Sequence, residues 1–391
     1  MQHDLIIVGG GLVGAAVALA LSDTPLNIAL IDAKLPEKND SRLFALNDNS
    51  CQFLKNMGVW QTLSQHVSPI AEVHVSHQKH FGGVKLLAKH VNLQNLGHVI
   101  PAFQLEIALQ DALSKLASLT LYRPAQLKNI LQSELATLVL ATEKGEVTLR
   151  TPLVIGADGT ASVVRESTNI TTTKLDYQQS ALVARIQLKR SHNHIAYERF
   201  YAKGTIAMLP LLNHESALII TSPHDVIEEW LSLSNDEFLI SLQREFGYRL
   251  GKFCGVGPRS TYPLHNIQAQ KATEKNVILL GNALHTLHPV AAQGLNLALY
   301  EVAIVTEAIM QYQHDIAAID LQKISDQMKK QQRLSMDFSH RLTTLFAKDR
   351  PLSNLFLSCC MLSLDTMTPI KKSLMAKLMG RAGSVPRLLL G

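Results

Sequence analysis

Short continuous apolar runs, punctuated by glycine turns, dominate the start of the chain. Leu5–Val8 and Ile28–Ile31 are runs of the kind a strand buried on both faces shows. Residues 12–21 between them are Ala/Leu-rich and predict a helix, so the chain opens as strand, helix, strand. The pattern next predicts a helix over 104–116, a hairpin over 135–149 turning at Lys144-Gly145, and a buried strand at 153–155. From about 177 to 264 the texture changes. Stretches at 181–188, 196–201, 205–212 and 217–221 predict strands, punctuated by Pro, Asn and His, with one helix at Asn235–Phe246. Residues 277–280 return to a buried strand, a long helix starts near Leu295, and the chain from 321 onward reads as mostly helical.

Composition narrows this picture. The 391 residues are 47% hydrophobic and 18% charged, which excludes a disordered chain and allows two or three domains. No run of 18 apolar residues is present, so no spanning helix is expected. Met1-Gln2-His3-Asp4 carries no positive n-region, and a signal peptide is not expected. Cys51, Cys254, Cys359 and Cys360 show no CxxC spacing, which fits a reduced, cytoplasmic protein. Cys359 and Cys360 read as helix packing.

The formal charge is +5, without a long basic run, and no nucleic-acid partner is expected. That excess has one location. Lys371, Lys372, Lys377, Arg381 and Arg387 follow Asp365, after which no acidic residue occurs. Leu374, Met375, Leu378 and Met379 fall at helical spacing among them. The tail over 366–391 therefore predicts either a basic amphipathic helix on an anionic membrane or a partner, or a packing helix with a solvated basic face.

The candidate chemistry begins at Gly9-Gly10-Gly11-Leu12-Val13-Gly14, which fits G-x-G-x-x-G between a strand and a helix. Gly9 allows a tight turn, Gly11 lets a pyrophosphate approach the backbone, and Gly14 lets the helix pack on the strand. Asp32 ends the next strand, where it can accept from ribose hydroxyls. His74, His77 and His80 fall three apart, but no acidic or cysteine partner adjoins them, and Val73-His74-Val75 reads as strand.

Two later segments complete a set. One is Gly156-Ala157-Asp158-Gly159; the other is Gly281-Asn282-Ala283, followed by His285, His288-Pro289 and Ala292-Gln293-Gly294-Leu295-Asn296. In order and spacing, these segments resemble the FAD-dependent aromatic hydroxylases of the para-hydroxybenzoate hydroxylase fold. Ser41 to Leu46, Gly58-Val59-Trp60 and Gln293 to Asn296 resemble the ubiquinone-biosynthesis branch. Tyr197-Glu198-Arg199-Phe200, Ala207 to Pro210 and Phe246 to Lys252 are most similar to the hydroxylases of 2-polyprenyl-6-methoxyphenol.

The resemblance implies an α/β fold: a Rossmann-like FAD-binding domain, an interleaved β-sheet substrate domain and a helical C-terminal tail. FAD binding would occupy 1–70, 101–175 and 266–320, the substrate domain 71–100 and 176–265, and the helical region 321–391. It implies FAD, NAD(P)H as a transient reductant, O2 as co-substrate and a flavin C4a-hydroperoxide that hydroxylates a polyprenyl phenol to the 1,4-benzoquinol. FAD contacts are implied at Gly9, Gly11, Leu12, Gly14, Asp32, Arg42, Gln104, Asp158, Gly281, Asn282, Pro289, Gly294, Leu295 and Asn296. Asp158 is also linked to NAD(P)H; its own sequence context reads equally as an Asx turn, and that of Arg42 as a surface ion pair. Asn282 stands where the family has Asp, and can still hydrogen-bond a hydroxyl. Ala292 stands where the family often has Gly, and disfavours a left-handed backbone. His285 and His288 are candidate bases, with Pro289 beside the reactive edge. Other ubiquinone-biosynthesis proteins are implied partners, and the inner face of the cytoplasmic membrane an implied location. A different ring hydroxylase of the pathway, or a non-catalytic scaffold with a degenerate flavin site, stays open.

Overall fold

Leu5–Val8 has no face left for water, because every residue in it is buried, so it takes the middle of a sheet. The computed structural model describes residues 1–34, 40–78, 80–287, 292–346, 358, 361–381 and 385–391, with backbone only at 338–346. The expectations for His288, Pro289, Cys359 and Cys360 lie outside the described residues.

The six-stranded sheet runs Thr273–Glu274, Val277–Leu279, Val154–Gly156, Leu5–Val8, Ile28–Ile31, Leu119–Tyr122. Its strands are parallel except the short Thr273–Glu274. The helices Leu12–Ala20 and Gln293–Gln311 pack together in its core. The expected hairpin forms from Ala136–Thr142 and Gly145–Thr151, with Ala125–Leu131 as a third strand. Its turn is Glu143-Lys144, one residue earlier than expected, because Gly145 at φ +110 already belongs to the return strand.

The second large sheet is mostly antiparallel and is built on the 17-residue strand Thr172–Leu188. Its order continues through Glu215–Pro223, Gly204–Pro210 and Ile195–Tyr201 to Glu72–His77 and Gly83–Leu87. The early segment thus joins the later sheet, through one parallel pairing of Glu72–His77 with Ile195–Tyr201. One face is covered by the helices His224–Ser232 and Asn235–Phe246. Asn235–Phe246 starts where the pattern put it, fixed by a capping box between Ser234 and Glu237. Ser260–Ala269, which pairs with Thr172–Leu188, carried no strand signal because most of its residues stay at least partly exposed and no alternation is imposed. A small sheet of Leu43–Asn47, Gly97–Pro101 and Ser68–Ile70 joins the two large ones. The C-terminal region adds the helices Leu321–Phe346 and Thr368–Leu378.

Candidate active site

Three parallel strands end side by side, and each carries one of the predicted loops. The amide of Ala157 donates to Val8 O at 2.7 Å and that of Leu280 to Gly156 O at 2.9 Å, so the loops after them meet at one crevice. A crevice at the carboxyl ends of parallel strands is where doubly wound sheets take ligands. The three motif glycines do different work. A Cβ on Gly9, at φ +101, would stand 2.4 Å from Ala157 O, and one on Gly14 would stand 1.8 Å from Gly9 O. Those two permit contact between protein segments. A Cβ on Gly11 would meet nothing within 4 Å. Gly11 has an ordinary φ of −71° and caps the helix beginning at Leu12, so the open space lies before free N–H groups that favour an anion.

Asp32 follows the second strand as expected, and it is not alone. Its Oδ2 pairs with the Arg123 guanidinium at 3.0 Å. Arg123 also donates to Gln110 Oε1 at 2.7 Å, and Gln110 Nε2 donates to Gly10 O at 2.9 Å. These side chains hold the glycine turn from outside. The sequence reading missed Arg123 and Gln110, which no local motif marks.

Asp158 fixes its loop as its context suggested, but not as an Asx turn, because its carboxyl accepts from groups four and six residues on rather than two. Oδ1 accepts from Ser162 Oγ at 2.6 Å and Oδ2 from Val164 N at 3.1 Å. Burial raises its pKa above the ordinary carboxylate value, against the lowering by these hydrogen bonds. Arg165, three residues past Ser162, was also missed. It is 7% exposed and donates to Thr160 O and Ala283 O, each at 2.8 Å, tying the Asp158 loop to the Gly281 loop.

Gly281 sits at φ +56 with Asn282 exposed beside it. The Gly281 N–H donates at 3.3 Å to Glu301, a fully buried carboxylate on Gln293–Gln311. Glu301 also accepts from His285 Nε2 at 2.5 Å and Gln332 Nε2 at 2.7 Å. This corrects the reading of His285 as a base. Its ring is 2% exposed, bonded into the core, and absent from the walls of the cavity described next. The signal for Glu301 was its place as the one charged residue in the apolar stretch 297–305.

A cavity of about 630 Å³ adjoins the crevice, within the usual range for small-molecule sites. One wall is the free face of the large sheet, another is Leu43–Asn47, and Ala292 to Asn296 form the end. A Cβ on Gly294 would meet nothing within 4 Å. The lining is mostly apolar, with Phe44, Tyr197 and Phe200 among the aliphatic side chains. Ala292 does adopt the left-handed conformation, at φ +49, ψ +42, against the expectation from its side chain.

The Asn296 side chain is spent within the protein, which leaves its backbone N–H as the group it could offer a ligand. Its amide donates to Ala45 O at 2.9 Å and Ala292 O at 2.7 Å, and its oxygen accepts from Asn47 N and Ser50 Oγ. All four hydrogen-bonding places are used, so the side chain fixes Leu43–Asn47 and the helix start while its backbone faces the site. Arg42 makes the surface ion pair, bidentate on Asp40, with NH2 to Oδ2 at 2.6 Å. Burial alone would raise the Asp40 pKa, but Arg42 outweighs it and holds the carboxyl low. Gln104 lies half-buried in the first turn of Ala102–Leu113, whose opening amide donates to Arg42 O at 2.9 Å.

The tail takes the packing form of its two expected geometries. Leu374, Met375, Leu378 and Met379 face inward and line the cavity, because that aliphatic space offers the stripe its burial. Lys371 is 4% exposed and pairs with Asp365 at 3.0 Å, and Arg381 pairs with Asp48. Lys372, Lys377 and Arg387 face out.

The comparisons with known proteins fit this geometry. A family model described as an FAD binding domain matches residues 2–318. The ubiquinone hydroxylase UbiL of Rhodospirillum rubrum is 31% identical, over 99% of this chain and 92% of that protein. The chain belongs to the FAD-dependent ubiquinone hydroxylase family. Within this family, 3-demethoxyubiquinol 3-hydroxylase of Escherichia coli is 28% identical over 78% of this chain and 79% of that protein. Among solved structures, p-nitrophenol 4-monooxygenase PnpA from Pseudomonas putida DLL-E4 superposes with a TM-score of 0.80 at 16% identity, covering 98% of this chain and 100% of that one. This chain is therefore a flavin-dependent hydroxylase with the FAD-binding fold of such monooxygenases. Its residues leave room for such a cofactor: a Cβ on Gly11 or Gly294 would meet nothing within 4 Å, and Asn282 is exposed.

Proposed function

We propose that this hydroxylase acts on the ring of a polyprenylated phenol, 2-polyprenyl-6-methoxyphenol, giving the 1,4-benzoquinol, with NAD(P)H as reductant and O2 as co-substrate. The observation that carries the reading is the aliphatic cavity of about 630 Å³ reaching the start of Gln293–Gln311. Such a wall suits a substrate that is mostly hydrocarbon with one polar ring. Bound FAD supplies the redox chemistry that turns O2 into an oxygen donor. Gly11 and Leu12, in the turn that Gly9 and Gly14 allow to close, would hold its pyrophosphate, Asp32 a ribose, and Asp158, Gly281 and Asn282 the chain between. Gly294, Leu295 and Asn296 would turn backbone N–H groups toward the flavin's electron-rich edge. Arg42 and Gln104 would flank it, and the largely apolar wall would limit the water that reaches the reacting oxygen.

A second ring position is a specific rival, because 3-demethoxyubiquinol 3-hydroxylase is among the relatives. Complementation of strains each lacking one ring hydroxylase, with quinone intermediates identified by mass, separates the two. Disappearance of the accumulated methoxyphenol is expected. Its persistence, with rescue of another strain, would move the assignment to that ring carbon.

We also propose peripheral contact with an anionic membrane surface. Among the described residues no helix is long and apolar enough to cross a membrane. Leu362, Met367 and Ile370 stand exposed next to the outward Lys372, and the substrate is itself a lipid. Holoenzyme should co-sediment with phosphatidylglycerol vesicles at low salt, and Ile370→Asp should reduce that at least severalfold. Equal recovery of both proteins with neutral vesicles would defeat the idea.

A further inference from the structure

Tyr197-Glu198-Arg199-Phe200 marks the family resemblance, yet no role for its acid has been assigned. On the strand Ile195–Tyr201 side chains alternate, and Ala196, Glu198 and Phe200 line the aliphatic cavity. Arg199 turns the other way, donating to Glu245 O and Ser76 Oγ. Glu198 is flanked in register by Val75 and Ala207, and none of the described residues hydrogen-bonds to its carboxyl. Among the described lining residues it is the one side chain with a formal charge. The other titratable lining group is Tyr197, whose ring packs at 5.6 Å on Phe246 in the opposite core. The facing helix Thr368–Leu378 and the end at Gly294 bring no charged group to the cavity. An unpartnered carboxyl on such a wall is costly unless a polar group arrives to meet it.

We propose that Glu198 receives the ring hydroxyl of the phenol substrate, orienting the ring and taking its proton during oxygen transfer. This rests on the phenol-hydroxylase reading above. The phenolic O–H bond breaks, its proton passes to a Glu198 Oε, and the oxygen's electron pair raises electron density at the ring carbons ortho and para to it. One of those carbons forms its bond to an oxygen atom derived from O2. The second oxygen leaves as water with the two electrons from NAD(P)H. The ring carbon then loses its hydrogen as a proton to water, restoring the aromatic ring, and Glu198 returns its own proton to the phenolic oxygen. Burial alone pushes the Glu198 pKa up to about 7. The base is therefore available above that pH and lost as pH falls below it.

The test uses FAD-loaded protein, the probe 2-methoxy-6-prenylphenol, and the Glu198→Gln variant. In the unaltered enzyme kcat should rise with pH below about 7 and level off above it, and the bound probe's difference spectrum should show phenolate character. Glu198→Gln should keep its bound FAD, lose roughly 100-fold in kcat with a much smaller change in KM, and show neither the pH rise nor the phenolate signal. A variant within about threefold of the unaltered enzyme, with the same pH profile and spectrum, overturns the role of Glu198 and leaves the hydroxylase reading standing. An unaltered enzyme that gives no phenol-dependent product overturns both.

Discussion

Gly11→Val gives a folded protein that no longer retains FAD. The reason is the contrast among the glycines of one motif. At Gly11 the backbone is ordinary, with φ −71°, and an added side chain meets no protein atom within 4 Å. Its effect on the stability of the cofactor-free protein should stay within about 0.5 kcal/mol. The branched side chain instead fills the space a pyrophosphate needs before the helix N-terminus, so FAD affinity should fall at least about 100-fold. Gly14→Ala is the opposite case. Its Cβ would stand 1.8 Å from Gly9 O, backbone against backbone, and the first helix must move off its strand. We expect about 3 kcal/mol or more of destabilisation together with cofactor loss. Thermal melting of both cofactor-free variants, then FAD titration, decides the matter. Normal FAD affinity in Gly11→Val would show that the phosphates do not pass over that residue.

Glu301→Ala should destabilise the protein by about 3–5 kcal/mol, the usual result of removing one member of a buried, hydrogen-bonded charged set. Glu301 is fully buried and accepts from His285 Nε2, Gln332 Nε2 and the Gly281 N–H, so its loss strands three donors at once. Glu301→Gln keeps the shape and one acceptor but sets an NH2 group against a donor, and about 1–2 kcal/mol is expected. Urea unfolding measures both. Weaker FAD binding in Glu301→Gln should accompany the change, because Gly281 loses its anchor. A Glu301→Ala protein within about 1 kcal/mol of the unaltered one would show that the network is not structural.

How legible this was from sequence depends on where each residue's partners lie. The glycine turn, Asp32 and the Asp158 loop were readable, because their constraints act within a few residues: a positive φ at Gly9, a carboxyl at Asp158 bonded to Ser162 and Val164. The helix start at Asn296 was readable, but not that its side chain is taken up by Ala45 and Asn47, some 250 residues away in the chain. Arg165 and Ala283 stand 118 residues apart, and no spacing rule reaches across that interval. His285 looked chemical in a loop next to His288; only the helix beneath it, carrying Glu301, turns it into a packing residue.

The C-terminal stripe shows the same division. Helical spacing alone established that Leu374, Met375, Leu378 and Met379 share a face, since that follows from 3.6 residues per turn. What the face meets was settled by a cavity whose other walls come from residues 43–47, 73–86, 196–221 and 292–296. The sequence by itself therefore determined the nucleotide turn, the two-sheet α/β class and the periodicity of each element, because those are local consequences of backbone sterics and side-chain pattern. Only the tertiary structure decided which polar groups are spent on one another and which, like Glu198, are left facing an apolar space, because hydrogen-bond partners and burial are properties of segments brought together by folding.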